Sequence, residues 1–263
     1  MTEFSAIVFT DLDGTLLDHH SYDYTPALPA LNALAQRGIP VILASSKTAA
    51  EIAPLRKELN LSAHPAIVEN GAGLLPAGAS SAGDNSAYLD LRAALDQVPS
   101  ALRGLYIGFG DMTARDVADH TGLPLPQAEL AKTRNYSEPG IWTGTPEQQT
   151  EFQNALTALG VSCRFGGRYL TLSFGRTKAD QMEAIRAMYG ATTMIALGDA
   201  PNDVEMLEAA DHPILITNAQ AKPLTVPGTL APRLTRSTLP GPSGWNETIS
   251  ALLAALPNDP KGA

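Results

Sequence analysis

The chain has 263 residues, 44% apolar and 17% charged, enough for one large hydrophobic core or two modest ones and too few charges for a disordered acidic chain. A formal net charge of −9 speaks against nucleic acid or an anionic membrane as partner, since both call for a basic surface. One cysteine, Cys163, leaves no intrachain disulfide and no cysteine metal site. The first residues lack a basic segment followed by a long apolar stretch, and no apolar run reaches membrane-span length, so a soluble cytoplasmic protein is expected.

Ala6-Ile7-Val8-Phe9-Thr10 is a short apolar run with β-branched members and predicts a buried strand ending at Asp11. Thr25-Pro26 has the form of an N-cap followed by proline at the first helical position. Leu28, Leu31 and Leu34 supply the helical stripe, and Gly38 fits the stop. Pro40-Val41-Ile42-Leu43-Ala44 predicts a second buried strand. Thr48-Ala49-Ala50-Glu51 has the capping-box pattern and opens another helix, in which Pro54 predicts a kink. Ala66-Ile67-Val68 is a third predicted strand. This alternation of strands and helices predicts a parallel sheet with crossover helices.

Residues 77–84 are rich in Gly, Ala and Ser and suit a linker. Between 85 and 175 the pattern changes. Helices are predicted near residues 111–120, 126–133 and 146–159, and strands near 104–108 and 168–174, as in a second α+β module inserted into the first. The first pattern then returns. Thr177 can cap a helix running to about Gly190, residues 193–197 form an apolar strand, Val204, Met206, Leu207 and Ala210 mark a helix, and residues 213–216 a further short strand.

The strongest chemical signal is Asp11-Leu12-Asp13-Gly14-Thr15, directly after the first strand. In an open parallel sheet, ligands bind beyond the carboxyl ends of the strands, and Asp11 sits at such an end. Two carboxylates this close repel one another, which makes a divalent cation a natural partner. Gly198-Asp199-Ala200-Pro201-Asn202-Asp203, just past another buried strand, offers two more. Alone it would read equally well as an acidic helix N-terminus; beside the first motif it completes an oxygen-rich site suited to Mg²⁺ rather than Zn²⁺. Ser45 follows the second strand, where its hydroxyl and the following backbone N–H groups can hold a phosphate; as a single residue it could equally be a helix cap. Lys178 lies in the first turn of its helix, unfavourable for the helix dipole, and a nearby anion would explain it.

The set Asp11/Asp13, Ser45, Lys178 and Asp199/Asp203, in this order and these strand contexts, resembles the haloacid dehalogenase superfamily of phosphatases. Asp18-His19-His20-Ser21-Tyr22-Asp23-Tyr24, Ser45-Ser46-Lys47-Thr48, Glu69-Asn70-Gly71, Arg134-Asn135-Tyr136-Ser137-Glu138-Pro139, Gly166-Gly167-Arg168 and Gly241-Pro242-Ser243-Gly244-Trp245 resemble the mannosyl-3-phosphoglycerate phosphatase family within it. The resemblance implies an α/β fold: a Rossmann-like parallel-sheet core, residues 1–84 and 176–263, with an inserted α+β cap that sets substrate specificity, residues 85–175. It implies a Mg²⁺-dependent phosphatase acting on a glycosylated 3-phosphoglycerate, mannosyl or glucosyl.

The implied roles follow residue by residue. Asp11 attacks phosphorus, and Asp13 serves as general acid and then base. Ser45 and Lys178 bind the phosphoryl oxygens. Asp11, Asp199 and the backbone carbonyl of Asp13 hold the metal. Asp203 orients Lys178 or a metal-bound water, with help from Asn202. Arg134 and Arg168 suit the glycerate carboxylate through paired N–H donors, and Lys47, Asn70 and Ser137 are further substrate-binding candidates. A broader sugar-phosphate phosphatase, a phosphotransferase or mutase sharing the Asp11 intermediate, and a non-catalytic ligand binder stay open at this point. His19-His20 has the wrong spacing for a shared ligand face, Cys163 reads as a small buried residue, and Trp142 and Trp245 read as packing residues.

Overall fold

The computed structural model describes residues 5–166, 168–218 and 224–255. Its elements in chain order are β1 (Ala6–Thr10), α1 (Leu28–Gln36), β2 (Val41–Leu43), α2 (Ala49–Glu58), β3 (Ala66–Val68), β4 (Gly73–Leu75), α3 (Ser86–Leu95), α4 (Ser100–Arg103) and β5 (Tyr106–Gly108). Next come α5 (Ala114–Thr121), α6 (Leu125–Lys132), β6 (Ser137–Trp142), α7 (Pro146–Ala158), β7 (Ser162–Gly166) and β8 (Tyr169–Ser173). The last are α8 (Lys178–Tyr189), β9 (Thr193–Gly198), α9 (Val204–Ala209), β10 (His212–Thr217), β11 (Thr235–Pro240) and α10 (Gly241–Ala255). The chain divides into two compact units, Met1–Ser45 with Lys178–Ala263, and Ser46–Thr177.

The first unit is built on a five-stranded parallel sheet in the order β11-β10-β9-β1-β2. Strands buried on both faces need continuous apolar runs, and β1 and β2 are buried along their whole length. Leu34 of α1, Met182 and Ile185 of α8, and Trp245 and Ile249 of α10 are buried with them. α1 packs against α10, and α8 against α9. Gly38 ends α1 as the sequence predicts: it takes φ +65°, its N–H reaches Ala35 O, and the Ile39 N–H reaches back to Leu34 O. Thr10 pairs with Leu197, so the residues after β1 and the end of β9 emerge side by side.

The second unit carries a four-stranded antiparallel sheet in the order β5-β6-β8-β7. The alternation of side chains splits it into two faces. One face buries Tyr106, Leu170 and Leu172 against Leu91 and Leu95 of α3 and Phe152 and Leu156 of α7. The pairing register puts Ser137, Thr171, Ser173 and Arg164 on the opposite face. Ile141 and Tyr169 of that face pack on a small cluster formed by Phe109, Met112, Val117 and Ala128, which draws in α5 and α6.

Two sequence expectations are corrected. Residues 66–68 do form a strand, but β3 pairs antiparallel with β4 in a two-stranded sheet rather than joining the parallel one. The turn 69–71 reverses the chain straight away, so β3 is one arm of a hairpin and not the product of a crossover. Thr25 does not cap α1: it begins a 3-10 turn, and its hydroxyl donates to Asp23 Oδ1 at 2.6 Å. Thr48 makes its capping box with Glu51, and α2 runs on through Pro54. Strands β4, β6, β7 and β11 and helices α3, α4 and α10 were not predicted. Gly167 and the segment 219–223 lie outside the described residues.

Candidate active site

The site forms within the first unit, at the carboxyl ends of β1 and β9. Asp11 leaves β1 with its N–H bonded to Leu197 O, while Asp199 leaves β9 one residue beyond Gly198. Lys178, the first residue of α8, sends Nζ to Asp11 Oδ1 and to Asp203 Oδ1, each at 2.7 Å. The lysine is 2% exposed and Asp203 fully buried, so this ion pair has no bulk water to weaken it. Asp203 Oδ2 caps the turn after β9 by accepting the N–H groups of Asp199 and Ala200, each at 3.1 Å. A side chain on Gly198 would come within 2.5 Å of Asp203 Cβ, which is why glycine stands there.

Two residues that sequence reasoning left without a role fix Asp199. Thr15 donates its hydroxyl to Oδ1 at 2.8 Å, and Asn218 donates Nδ2 to Oδ2 at 2.7 Å. Asn218 follows β10 directly, so the rule about strand carboxyl ends could have flagged it. Thr15 stood inside the first motif unassigned. Gly14, at φ +83°, lets the loop pass this pair: a Cβ there would lie 2.7 Å from both Asn218 Nδ2 and Asp199 Oδ2. Behind the loop, buried Trp245 donates its indole N–H to Thr10 Oγ1 at 3.0 Å and fixes the end of β1.

Ligand oxygens from Asp11, Asp199 and Asp203 all lie within 4.8 Å of one another. Burial raises the Asp11 carboxyl well above the usual range; Asp203 and Asp199 push the same way, and Lys178 only partly opposes them. Burial likewise raises Asp199, aided by the charge of Asp203, against the hydrogen bonds from Asn218 and Thr15. Lys178 is held above its ordinary value, because Asp11 and Asp203 outweigh the burial that would depress it. Three carboxylates thus face one ammonium in a buried place. An all-oxygen donor set with surplus negative charge is the chemistry that a hard divalent cation such as Mg²⁺ fits.

The other predicted residues fall as follows. Ser45 is buried just past β2, and Asp13 is partly buried beside Gly14. Asn202 is exposed on the 3-10 turn that holds Asp203. Lys47, Asn70, Arg134, Ser137 and Arg168 belong to the second unit. Arg134 and Ser137 are buried there: the guanidinium donates Nη2 to Ser137 Oγ at 2.7 Å and pairs with Glu69 at 3.2 Å. Asn70 is half-buried at φ +58°, and Lys47 accepts the Glu69 N–H on its carbonyl. Arg168 is exposed, bonded to Thr121 O at 3.2 Å and set over the Tyr169 ring. Trp142 packs on Phe152, so both tryptophans are packing residues.

The haloacid dehalogenase-like hydrolase family model matches residues 8–80 and 150–225, more than half of the chain. A glucosyl-3-phosphoglycerate/mannosyl-3-phosphoglycerate phosphatase of Persephonella marina is 32% identical, over 94% of this chain and 97% of its own. Among solved structures, a protein of Geobacillus kaustophilus superposes with a TM-score of 0.67 at 18% identity, covering 94% of this chain and 98% of its own. A phosphatase of the haloalkanoate superfamily from Bacteroides thetaiotaomicron gives 0.64 at 16% identity, with 97% and 95% covered. These two likenesses establish the fold. The family match and the whole-length relative place the chain in the haloacid dehalogenase-like hydrolases, as a phosphoric monoester hydrolase of the mannosyl-3-phosphoglycerate phosphatase family.

Proposed function

We propose that the protein hydrolyses a glycosyl-3-phosphoglycerate, mannosyl or glucosyl, to the glycosylglycerate and phosphate. The observation that carries this reading is the buried ionic cluster, with Lys178 Nζ 2.7 Å from one oxygen of Asp11 and from one of Asp203. The substrate class is supported by the relative named for both phosphoglycerates.

Asp11 is the nucleophile: its carboxylate attacks phosphorus, and the glycerate oxygen leaves with a proton from Asp13. Asp13 then takes a proton from the water that opens the aspartyl-phosphate, and Asp11 is regenerated. The Lys178 ammonium and the Ser45 hydroxyl hold phosphoryl oxygens as charge spreads over them. Asp203 keeps Lys178 aimed at Asp11, and the turn bonds from Asp199 and Ala200 keep Asp203 in place. Asn202 adds a polar group on the same turn. Asp11, Asp199 and the backbone carbonyl of Asp13 would hold Mg²⁺, which supplies charge neutralisation between nucleophile and phosphate when bound.

Specificity belongs to the inserted cap, residues 85–175, with Arg134, Ser137 and Arg168, together with Lys47 and Asn70. Arg134 is the residue we assign to the glycerate carboxylate, the group that separates this substrate from a plain sugar phosphate. The deciding experiment measures phosphate release from mannosyl-3-phosphoglycerate, glucosyl-3-phosphoglycerate and simple hexose phosphates side by side, with Mg²⁺. A kcat/KM at least about tenfold higher for a phosphoglycerate, a difference of 1.4 kcal/mol, is the expected result. Equal efficiency on all three would reduce the assignment to a general sugar-phosphate phosphatase. Phosphate appearing more slowly than substrate disappears would point to transfer onto a second hydroxyl instead of water.

A further inference from the structure

Outside the active site, Glu69 is a carboxylate with a dense set of partners. Its side chain is fully buried. Oε1 accepts the Asn135 N–H at 2.8 Å. Oε2 accepts the Tyr136 N–H at 3.2 Å, the Ser137 N–H at 2.7 Å and the Ser137 hydroxyl at 2.8 Å, and stands 3.2 Å from Arg134 Nε. Three successive backbone donors, a hydroxyl and a guanidinium therefore converge on one side chain. The segment they come from, 134–137, is the one that leads into β6 and holds Arg134 and Ser137.

The backbone that delivers Glu69 is strained. Glu69, Asn70 and Gly71 take φ of +52°, +58° and +93° in succession. For the first two, which carry a Cβ, this left-handed conformation is sterically unfavourable. Such a conformation persists where the surroundings hold it, and strained backbone concentrates at functional sites. The Glu69 N–H also bonds Lys47 O at 2.9 Å, two residues beyond Ser45. One residue thus joins the loop that follows Ser45 to the segment that carries Arg134.

We propose that Glu69 is a positioning residue for substrate recognition: it holds Arg134 so that the guanidinium edge left over from its internal bonds meets the glycerate carboxylate. This rests on the assignment of Arg134 made above. Arg134 spends Nε on Ser137 O at 3.3 Å and on Glu69, and Nη2 on Ser137 Oγ. Nη1 makes no hydrogen bond among the described residues, so a donor stays available on a side chain whose rotamer is already fixed. Orientation set before the ligand arrives removes the entropy of ordering an arginine on binding. Without Glu69, the buried Arg134 side chain, 7% exposed, has no counter-charge within the segment, and it would turn toward water.

The test compares a glycosyl-3-phosphoglycerate with its analogue in which a hydroxymethyl group replaces the carboxylate, the phosphate ester being kept. In wild-type protein the carboxylate substrate should have the lower KM. Glu69→Gln should raise that KM about tenfold, the loss of one oriented charge-assisted bond, with kcat within about twofold and the KM of the analogue unchanged. Equal rises in KM for both substrates, or no rise for either, overturn the proposal. Should Glu69→Gln lack the wild-type circular dichroism spectrum, Arg134→Lys reads the same ratio, and full discrimination in that variant overturns the proposal. A wild-type enzyme indifferent to the carboxylate removes the assignment of Arg134 and the proposal with it. A discriminating wild type whose Glu69→Gln variant discriminates equally well removes the proposal alone.

Discussion

In the parallel-sheet unit, Lys178 faces Asp11 and Asp203 with Asp199 beside them: three buried carboxylates to one ammonium. In the antiparallel unit, each buried carboxylate has its own guanidinium. Glu69 meets Arg134, and Glu138 meets Arg92 at 2.9 Å. The remaining lone pairs of Glu138 go to the Tyr88 hydroxyl at 2.6 Å and the Gly110 N–H at 2.7 Å, as those of Glu69 go to residues 135–137. Both regions bury charge, yet the second balances it with its own side chains and backbone. The first leaves a surplus, and the charge of Asp203 adds to burial in raising the carboxyl groups of Asp11 and Asp199. Burial of acids is thus no sign of a ligand site by itself. An unbalanced sum is.

The comparison breaks most sharply at Asp11. Asp11→Asn removes the nucleophile and one of the surplus charges together. Turnover should fall on the order of 10⁴-fold or more, while the melting temperature holds or rises, since a crowded buried carboxylate is gone. Activity within tenfold of wild type would refute the role of Asp11. Metal dependence comes next. Chelation should abolish phosphate release, added Mg²⁺ should restore it, and Mg²⁺ at about 100 times its Kd should stabilise the fold by about 2.7 kcal/mol. Glu138→Ala is the counterpart in the balanced region. It leaves Arg92 Nη1, the Tyr88 hydroxyl and the Gly110 N–H without their acceptor, while Arg92 Nη2 keeps Asp111, and should cost about 3 kcal/mol in denaturant unfolding. That loss should be the same with and without Mg²⁺; a metal-dependent loss would mean that the two regions do not differ as argued.

The two regions also differ in how far the sequence discloses them. Asp11, Asp13, Asp199 and Asp203 can be read in advance because they follow apolar runs long enough to read as buried strands, and the ends of parallel strands converge. Asn218 shares that geometry but stands alone, without a motif around it. In the antiparallel unit, β6 is spelled Ser-Glu-Pro-Gly-Ile-Trp, with a buried acid, a proline and a glycine where alternation should show. Its propensity is poor because its partners are unusual: Gly108 must make room for Glu138, whose Oε1 would lie 2.0 Å from a Cβ there. β3 was legible as a strand but not as part of a hairpin, since three residues reveal no partner and the left-handed turn 69–71 uses only one glycine. α10 begins Gly-Pro-Ser-Gly, which reads as loop, although Gly244 lies against Leu239 O so closely that a Cβ would sit 2.1 Å away. Close packing chose these residues, and packing is not visible along one strand of text.

A smaller effect sharpens the balanced side. Burial tends to raise Asp111, but hydrogen bonds from Arg92, Arg103 and the Gly108 N–H hold its carboxyl below the usual range. A carboxyl lowered on folding adds stability above its unfolded pKa, near 3.9, and loses it as the pH falls through the folded value. Asp111→Asn should therefore cost about 1 kcal/mol at pH 7, a value kept small by solvent screening at this partly exposed site. The difference from wild type should shrink below about pH 4 and vanish near pH 2. A gap that stays constant down to pH 2 would show that the network acts through packing rather than charge.

The smallest expected effect concerns Cys163 in β7, half-buried behind Leu172 on the helix-covered face of the antiparallel sheet. Burial pushes its thiol up to about 12. At pH 8 the thiolate fraction is then on the order of 10⁻⁴, against roughly a quarter for a free thiol of pKa 8.5. A disulfide reagent should react about 10³-fold more slowly with the native protein than with the denatured chain, and saturating Mg²⁺ should leave the native rate unchanged. If the balanced region opened readily, that contrast would collapse, because transient exposure restores the ordinary thiolate fraction. A native rate within tenfold of the denatured one would therefore show that its paired charges do not keep this unit closed.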